Sequence, residues 1–315
     1  MFRLHRLSVL LAVTTALASC QSLPGSTPTF ADPHADARPI AWNELLDRPR
    51  ETATARIAFG EGEQEFGELW MPEGNGPFPV VAMVHGGCWL SQIPGTILQD
   101  YVAADLRDHG IAVWNLEYAR IGHETGGWPG TFEDIADGMD HLRAVAGDYP
   151  LDLDRLVLTG HSAGGHLALW AAARGGLPED SAAWRAEPLI PSTVVTLAGI
   201  NDLADYRAHG PGRCGEPDTV DSLIGPVEGQ TRALMAQVSP GSMAAIAVDQ
   251  VIISGELDPI VPPVLGERYT ILAGARGDTV RHVVLPDAGH FELIDPTAPA
   301  WQEIRAVLVE ALEAE

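Results

Sequence analysis

Residues 160–165 read Gly-His-Ser-Ala-Gly-Gly, between the apolar run Leu156-Val157-Leu158-Thr159 and the helix-forming His166-Leu167-Ala168-Leu169-Trp170. A strand that turns at once into a helix needs glycine beside its apex, where a side chain would clash with the nearby backbone. Such a turn exposes the Ser162 hydroxyl. It also aims the N-terminus of the next helix at that oxygen, where its partial positive charge favours a developing anion. A serine displayed in this way suits nucleophilic attack on an acyl carbon.

A second motif lies upstream, where Val84 runs into His85-Gly86-Gly87-Cys88-Trp89. The backbone N–H groups of a glycine turn can point at an oxyanion without side-chain obstruction. Gly86, Gly87 and Cys88, together with the Ala163 N–H, are therefore the expected oxyanion hole. His85 is expected to fix this loop by hydrogen bonds rather than to act as a base. Trp89 and Trp128 are candidates for the substrate pocket. His161 and His166 read as local hydrogen-bonding residues, and His123, His141, His209 and His282 are scattered.

Both motifs need strand ends to hold them. Val80–Val84, Ile111–Trp114, Leu156–Leu158, Val194–Leu197, Val251–Ile253 and Val283–Leu285 are short continuous apolar runs, the pattern of strands buried on both faces. Helical spacing over Asp100–His109, Phe132–Ala146, His166–Arg174 and Trp301–Leu312 separates them, with Thr131, Asp134 and Thr297 as expected N-terminal caps. Strands alternating with helices predict an α/β fold, a mostly parallel sheet covered on both faces. Ala53–Met71 alternates as a leading antiparallel hairpin would. No internal repeat is evident, and a single domain over residues 41–315 is expected.

His85-Gly86-Gly87-Cys88-Trp89, Gly160–Gly165, Asn115-Leu116-Glu117-Tyr118 and Gly127-Trp128-Pro129-Gly130 together resemble the α/β-hydrolase superfamily. Within it they are most similar to the esterase branch that holds hormone-sensitive-lipase-like, feruloyl-esterase-like and kynurenine-formamidase-like enzymes. The resemblance spans Gly67 to Leu312. Cys88 departs from the third glycine that many members carry, and the His-Gly-Gly-x-Trp form is closer to the formamidase variant. The resemblance implies a triad in the order serine, acid, histidine. Asp258 follows the run Val251–Ser254 and His290 follows Val283–Leu285, so both leave strand ends on the same edge as Ser162. Glu256, Asp287 and Asp202 are rival acids. The implied activity is hydrolysis of a small carboxylic ester through an acyl-enzyme, with no cofactor. Amide or N-formyl hydrolysis is the alternative reaction, and a hydrolase-fold lipoprotein that binds without turnover is the alternative of another class.

Composition removes competing chemistries. Of 315 residues, 19 are Lys or Arg and 43 are Asp or Glu, a net charge of -24 that repels phosphate backbones and anionic head groups, so no nucleic-acid partner is expected. The basic residues are all arginine. Schiff-base, Ser-Lys and P-loop lysine chemistry is thereby excluded. No HExxH motif or cysteine pair points to a metal, and Gly160–Gly165, with Ser162 at its apex, does not spell Gly-x-Gly-x-x-Gly.

The first residues read as a targeting signal. Arg3 and Arg6 precede the apolar Leu7–Leu17, too short to span a bilayer, and Leu17-Ala18-Ser19-Cys20 closes it. This resembles a bacterial lipoprotein signal. It implies removal of residues 1–19, lipidation of Cys20 and a Pro/Ser/Thr-rich tether over 20–40. The expected location is the cell envelope, at the outer membrane facing the periplasm, with the membrane touched only through that anchor. Lipidation would leave Cys88 and Cys214, each in a loop on the carboxyl edge of the sheet, as an expected disulfide in an oxidising compartment.

Overall fold

A computed structural model describes residues 38–314. Cys20 and the signal and tether segments up to residue 37 lie outside the described residues. The sheet comprises β1 (Ala55–Ala58), β2 (Phe66–Trp70), β3 (Phe78–Val84), β4 (Ala112–Leu116), β5 (Leu151–His161), β6 (Thr193–Leu197), β7 (Asp249–Gly255) and β8 (Val280–Leu285). Their spatial order is β1-β2-β4-β3-β5-β6-β7-β8. The leading hairpin β1–β2 and the β2–β4 pair are antiparallel, and the pairs from β4 to β8 are parallel. This is the α/β-hydrolase architecture. Residues of β4 and β6 are buried throughout, which is why these strands read as unbroken apolar runs and not as alternations. The strand β5 is longer than its apolar run. Its first residues pair with Phe78 and Pro79 before a register shift at Pro79/Val80.

The helices are α1 (Trp42–Leu46), α2 (Asp100–Asp108), α3 (Gly130–Asp148), α4 (Ala163–Ala173), α5 (Leu203–His209), α6 (Asp218–Ile224), α7 (Arg232–Val238), α8 (Pro263–Ala275) and α9 (Pro299–Glu313). The helix α4 is buried from Ala163 through Ala172, as an all-round apolar sequence requires. Among the described residues no helix is long and apolar enough to cross a membrane.

Three expected cap residues are corrected. The helix α3 starts after Pro129, and Thr131 and Asp134 do not cap it. Thr131 Oγ1 instead accepts from the Gly127 N–H and donates to the Ala119 carbonyl, while Asp134 accepts from the Ala119 N–H at 2.7 Å. Both side chains pin the loop after β4 because its backbone groups are buried and must be paired. The helix α9 begins with Pro299 after Ala298, and Thr297 turns back to Asp295. A proline at the first position has no N–H to satisfy.

One buried carboxyl makes folding stability depend on pH. Asp100 in the first turn of α2 is 7% exposed, and its Arg50 partner stands off at 3.6 Å. Burial, with a smaller repulsion from Glu68, raises its pKa from 3.8 to about 7. The folded chain therefore holds this proton where the unfolded chain has lost it, and stability falls as pH rises from about 4 to about 7. Asn cannot ionise. The stability of Asp100→Asn relative to the parent should be lowest near pH 4 and climb to a plateau above pH 7. Urea unfolding at pH 4, 6 and 8 reads this; a difference that stays flat across the series would contradict it.

Candidate active site

Ser162 sits between the end of β5 and the start of α4, with φ 57° and ψ -121°. A non-glycine residue at positive φ is held there by its surroundings. Its N–H donates to the Leu197 carbonyl at 2.8 Å, tying the turn to β6. The adjoining glycines allow backbone to meet backbone. A Cβ on Gly164 would fall 2.1 Å from the Val84 carbonyl oxygen, and one on Gly86 would fall 2.9 Å from the His161 oxygen and 3.1 Å from Ser162 Cβ. The helix N-terminus and the loop after β3 thus converge on Ser162 only because these residues lack side chains.

His290 lies in the loop after β8 and Asp258 in the loop after β7. His290 Nδ1 meets Asp258 Oδ2 at 2.7 Å, and both side chains are buried. The other oxygen, Asp258 Oδ1, accepts from the N–H groups of Ile260 and Val261 at 2.7 and 3.0 Å. A carboxylate held this way fixes the imidazole ring and favours the tautomer with the proton on Nδ1, leaving Nε2 as the acceptor. Ser162 and His290 line the same cavity of about 190 Å³. The rival acids are elsewhere employed or outward. Asp202 caps α5 by accepting from Ala204 and Asp205, and Glu256 and Asp287 are exposed.

His161 reaches farther than a local hydrogen bond. Its Nε2 donates to the His290 carbonyl at 3.0 Å, and the two rings lie 4.4 Å apart. Burial, then the neighbouring His290 charge, lowers its pKa well below the ordinary value, so His161 stays neutral while it positions the His290 loop.

The loop after β3 is organised from below by Glu117 at the end of β4. Both ring nitrogens of His85 face oxygen acceptors, the Gly86 carbonyl at 2.8 Å and Glu117 Oε1 at 2.9 Å, and the ring stacks on Tyr118. Burial alone would raise the Glu117 carboxyl, but His85, Arg120 and the Tyr118 N–H outweigh it and hold the pKa at about 2. Tyr118 donates in turn to the His85 carbonyl. Gly87, Cys88 and Trp89 all take positive φ. Gly87 and Cys88 line the cavity, and their N–H groups are not consumed by hydrogen bonds among the described residues.

The expected pocket tryptophans are a correction. Trp89 is fully buried with its ring edge-on to His166, and Trp128 is edge-on to Phe132; neither lines the cavity. The positive φ at Trp89 turns its side chain inward, beneath the loop. Trp42, Ile93, Leu98, Arg213, Ile260 and Phe291 form the walls instead. Ile260 and Phe291 adjoin Asp258 and His290 in the sequence, a signal that could have found them. Trp42, Ile93, Leu98 and Arg213 carry none.

The expected disulfide is present. Cys88 and Cys214 are bonded with their Cα atoms 5.4 Å apart, across 126 positions of sequence.

Residues 68–269 match the BD-FAE family. The chain is 26% identical over 244 residues to the esterase LipQ of Mycobacterium tuberculosis, covering 75% of this chain and 56% of that protein. It is 24% identical to LipC of the same organism over 264 residues, 78% of this chain and 62% of LipC. The chain thus spans under two thirds of the length of these relatives. Among solved structures, esterase B of Lactobacillus rhamnosis superposes with a TM-score of 0.70 at 18% identity, over 86% of this chain and 91% of that one, a likeness of fold.

Closing a loop of that length restricts the unfolded chain more than the folded one. Replacing both cysteines by serine should therefore cost about 2–5 kcal/mol of stability. Urea unfolding of the unreduced parent and the double variant measures it; a difference below about 0.5 kcal/mol would show the bond to be thermodynamically idle.

Proposed function

Because the chain belongs to the BD-FAE family, we propose that it is a serine hydrolase that cleaves a carboxylic ester through an acyl-enzyme. The observation that carries this reading is the convergence of Ser162 and the Asp258-paired His290 on one cavity beside the Gly87–Cys88 backbone. The esterases LipQ, LipC and esterase B support the reaction class by their names.

The steps follow from the groups present. Ser162 Oγ attacks the ester carbonyl carbon while His290 Nε2 takes the hydroxyl proton, and Asp258 stabilises the resulting imidazolium. The carbonyl oxygen becomes an oxyanion, held by the N–H groups of Gly87, Cys88 and Ala163, with Gly86 shaping the turn that presents them. As the tetrahedral species collapses, His290 returns its proton to the leaving alcohol oxygen and the acyl group stays on Ser162. A water molecule then attacks that acyl carbon with His290 again as base, releasing the acid and restoring the serine. The His-Gly-Gly-x-Trp sequence favours one second reading, hydrolysis of an N-formyl or aryl amide by the same steps. Comparing chromogenic esters with formanilides separates the two.

We also propose that the chain is exported and held at the envelope through lipidated Cys20, on the strength of Leu17-Ala18-Ser19-Cys20 behind a basic and apolar leader. In the full chain, Cys20→Ser should shift the protein from the membrane fraction to the soluble fraction. An unmodified mature N-terminus at another residue, found by mass spectrometry of the parent, would refute the anchor.

For the catalytic reading, Ser162→Ala should lower ester turnover by about a million-fold and abolish labelling by a fluorophosphonate probe. Asp258→Asn should cost about 10,000-fold, while Glu256→Gln and Asp287→Asn should stay near the parent rate. Retained hydrolysis in purified Ser162→Ala would overturn the nucleophile, and a larger loss in Glu256→Gln than in Asp258→Asn would overturn the acid.

A further inference from the structure

The cavity beside Ser162 holds one feature that the chemistry of the triad does not use. Its lining contains the guanidinium-bearing Arg213 and no carboxylate among the described residues. In a chain with 43 acidic and 19 basic residues this is a local inversion of charge. Several other arginines are taken up by acids: Arg48 by Asp295, Arg174 by Asp140, Arg207 by Asp221 and Arg305 by Asp105. Arg213 makes no hydrogen bond or ion pair among the described residues.

The backbone that carries Arg213 is pinned on both sides. Glu216, the nearest carboxylate in sequence, accepts from the N–H groups of Gly212 and Cys214 at 2.6 and 3.1 Å. Cys214 is in turn bonded to Cys88 of the loop beside the nucleophile. The disulfide therefore holds the backbone of Arg213, an exposed residue that lines the cavity, close to the loop beside the nucleophile. A guanidinium presents a planar fork of donors that matches a carboxylate, and the hydrogen bonds between them are charge-assisted. The cavity, at about 190 Å³, falls below the range of about 300–1,000 Å³ that takes drug-sized ligands.

We propose that Arg213 recognises an anionic group of the substrate, and that the ester cleaved is a small one carrying a carboxylate near the scissile bond. This rests on the reading of Ser162 as the nucleophile. The net charge opposes distant approach of such a substrate. At 0.15 M salt the Debye length of about 8 Å screens those remote carboxylates and spares a direct contact.

The test uses two matched pairs of esters at 0.15 M salt, with spontaneous rates subtracted. 4-Nitrophenyl hydrogen adipate against 4-nitrophenyl hexanoate places the charge on the acyl side, and 4-acetoxybenzoate against its methyl ester places it on the alcohol side. In one pair the parent should prefer the charged member in kcat/KM. Arg213→Gln should lower that preference at least about tenfold, mostly through KM, and Arg213→Lys should keep part of it. The pair that responds identifies the side. If neutral esters turn over and Ser162 is labelled, yet neither ratio moves in Arg213→Gln, the Arg213 assignment fails and the serine hydrolase stands. If none of the esters turns over and Ser162 resists labelling, both fail.

Discussion

The close approach of α4 to the sheet is the constraint on which the rest of the site depends. Gly160 lies against the backbone of Gly164, Gly164 against the carbonyls of Val84 and His85, and Gly165 against Gly199. A methyl group at any of these positions would wedge the helix away from β3, β5 or β6. With the wedge absent, the turn at Ser162 is closed tightly enough to hold φ at 57°, and the strain is sustained by hydrogen bonds to Leu197 and within the first turn. The same approach brings Gly86 against Ser162 Cβ. The Ser162 turn, the helix N-terminus and the Gly86–Cys88 loop are thus consequences of one packing condition.

In the proposed mechanism the loop after β3 stabilises a transient charge, and such a loop has to be rigid before the charge appears. Three successive residues at positive φ do not hold themselves, and two independent anchors surround them. From within, Glu117, Arg120, Tyr118 and His85 form a buried network in which each main-chain turn finds a partner. From outside, Cys88 is bonded to Cys214. A buried polar network is costly when partly satisfied and rigidifying when its members are paired, and the depressed Glu117 carboxyl is the sign that pairing wins over burial here.

The legible parts of the chain were those where local sequence and global fold make the same demand. Strands buried on both faces must be apolar throughout, so Val80–Val84 and Val194–Leu197 announced themselves. The Gly-His-Ser-Ala-Gly-Gly turn was legible because its glycines have a steric reason visible in sequence. The cap residues misled because Thr131 and Asp134 have the right types at the right spacing, yet tertiary demand from the buried Ala119 backbone claims them. Trp89 misled for a related reason: proximity to the oxyanion turn says nothing about which way a residue at positive φ turns its side chain. The helices α5, α6 and α7, each of seven residues, are too short to show a period. Trp42 and Arg213 reach the cavity through tertiary approach from distant segments, which spacing does not encode.

That last group also shows how the fold divides its labour. Ser162, Asp258 and His290 follow the ends of β5, β7 and β8, where parallel hydrogen bonding fixes the strands' relative positions. Ile260 and Phe291 of the walls follow the same β7 and β8 ends, while the other wall residues come from α1, from the loop after β3 and from the segment between β6 and β7, which obey no such register. A segment outside the sheet register is positioned less tightly, and looseness costs precision at a site where a displacement of about 1 Å matters. The Cys88–Cys214 bond resolves the conflict, because it ties that segment to the glycine turn after β3, and Cys88 itself lines the cavity. Under the role proposed for Arg213, substrate choice would be written in the segment between β6 and β7, with its backbone bonded to the Gly87–Cys88 turn through Cys214.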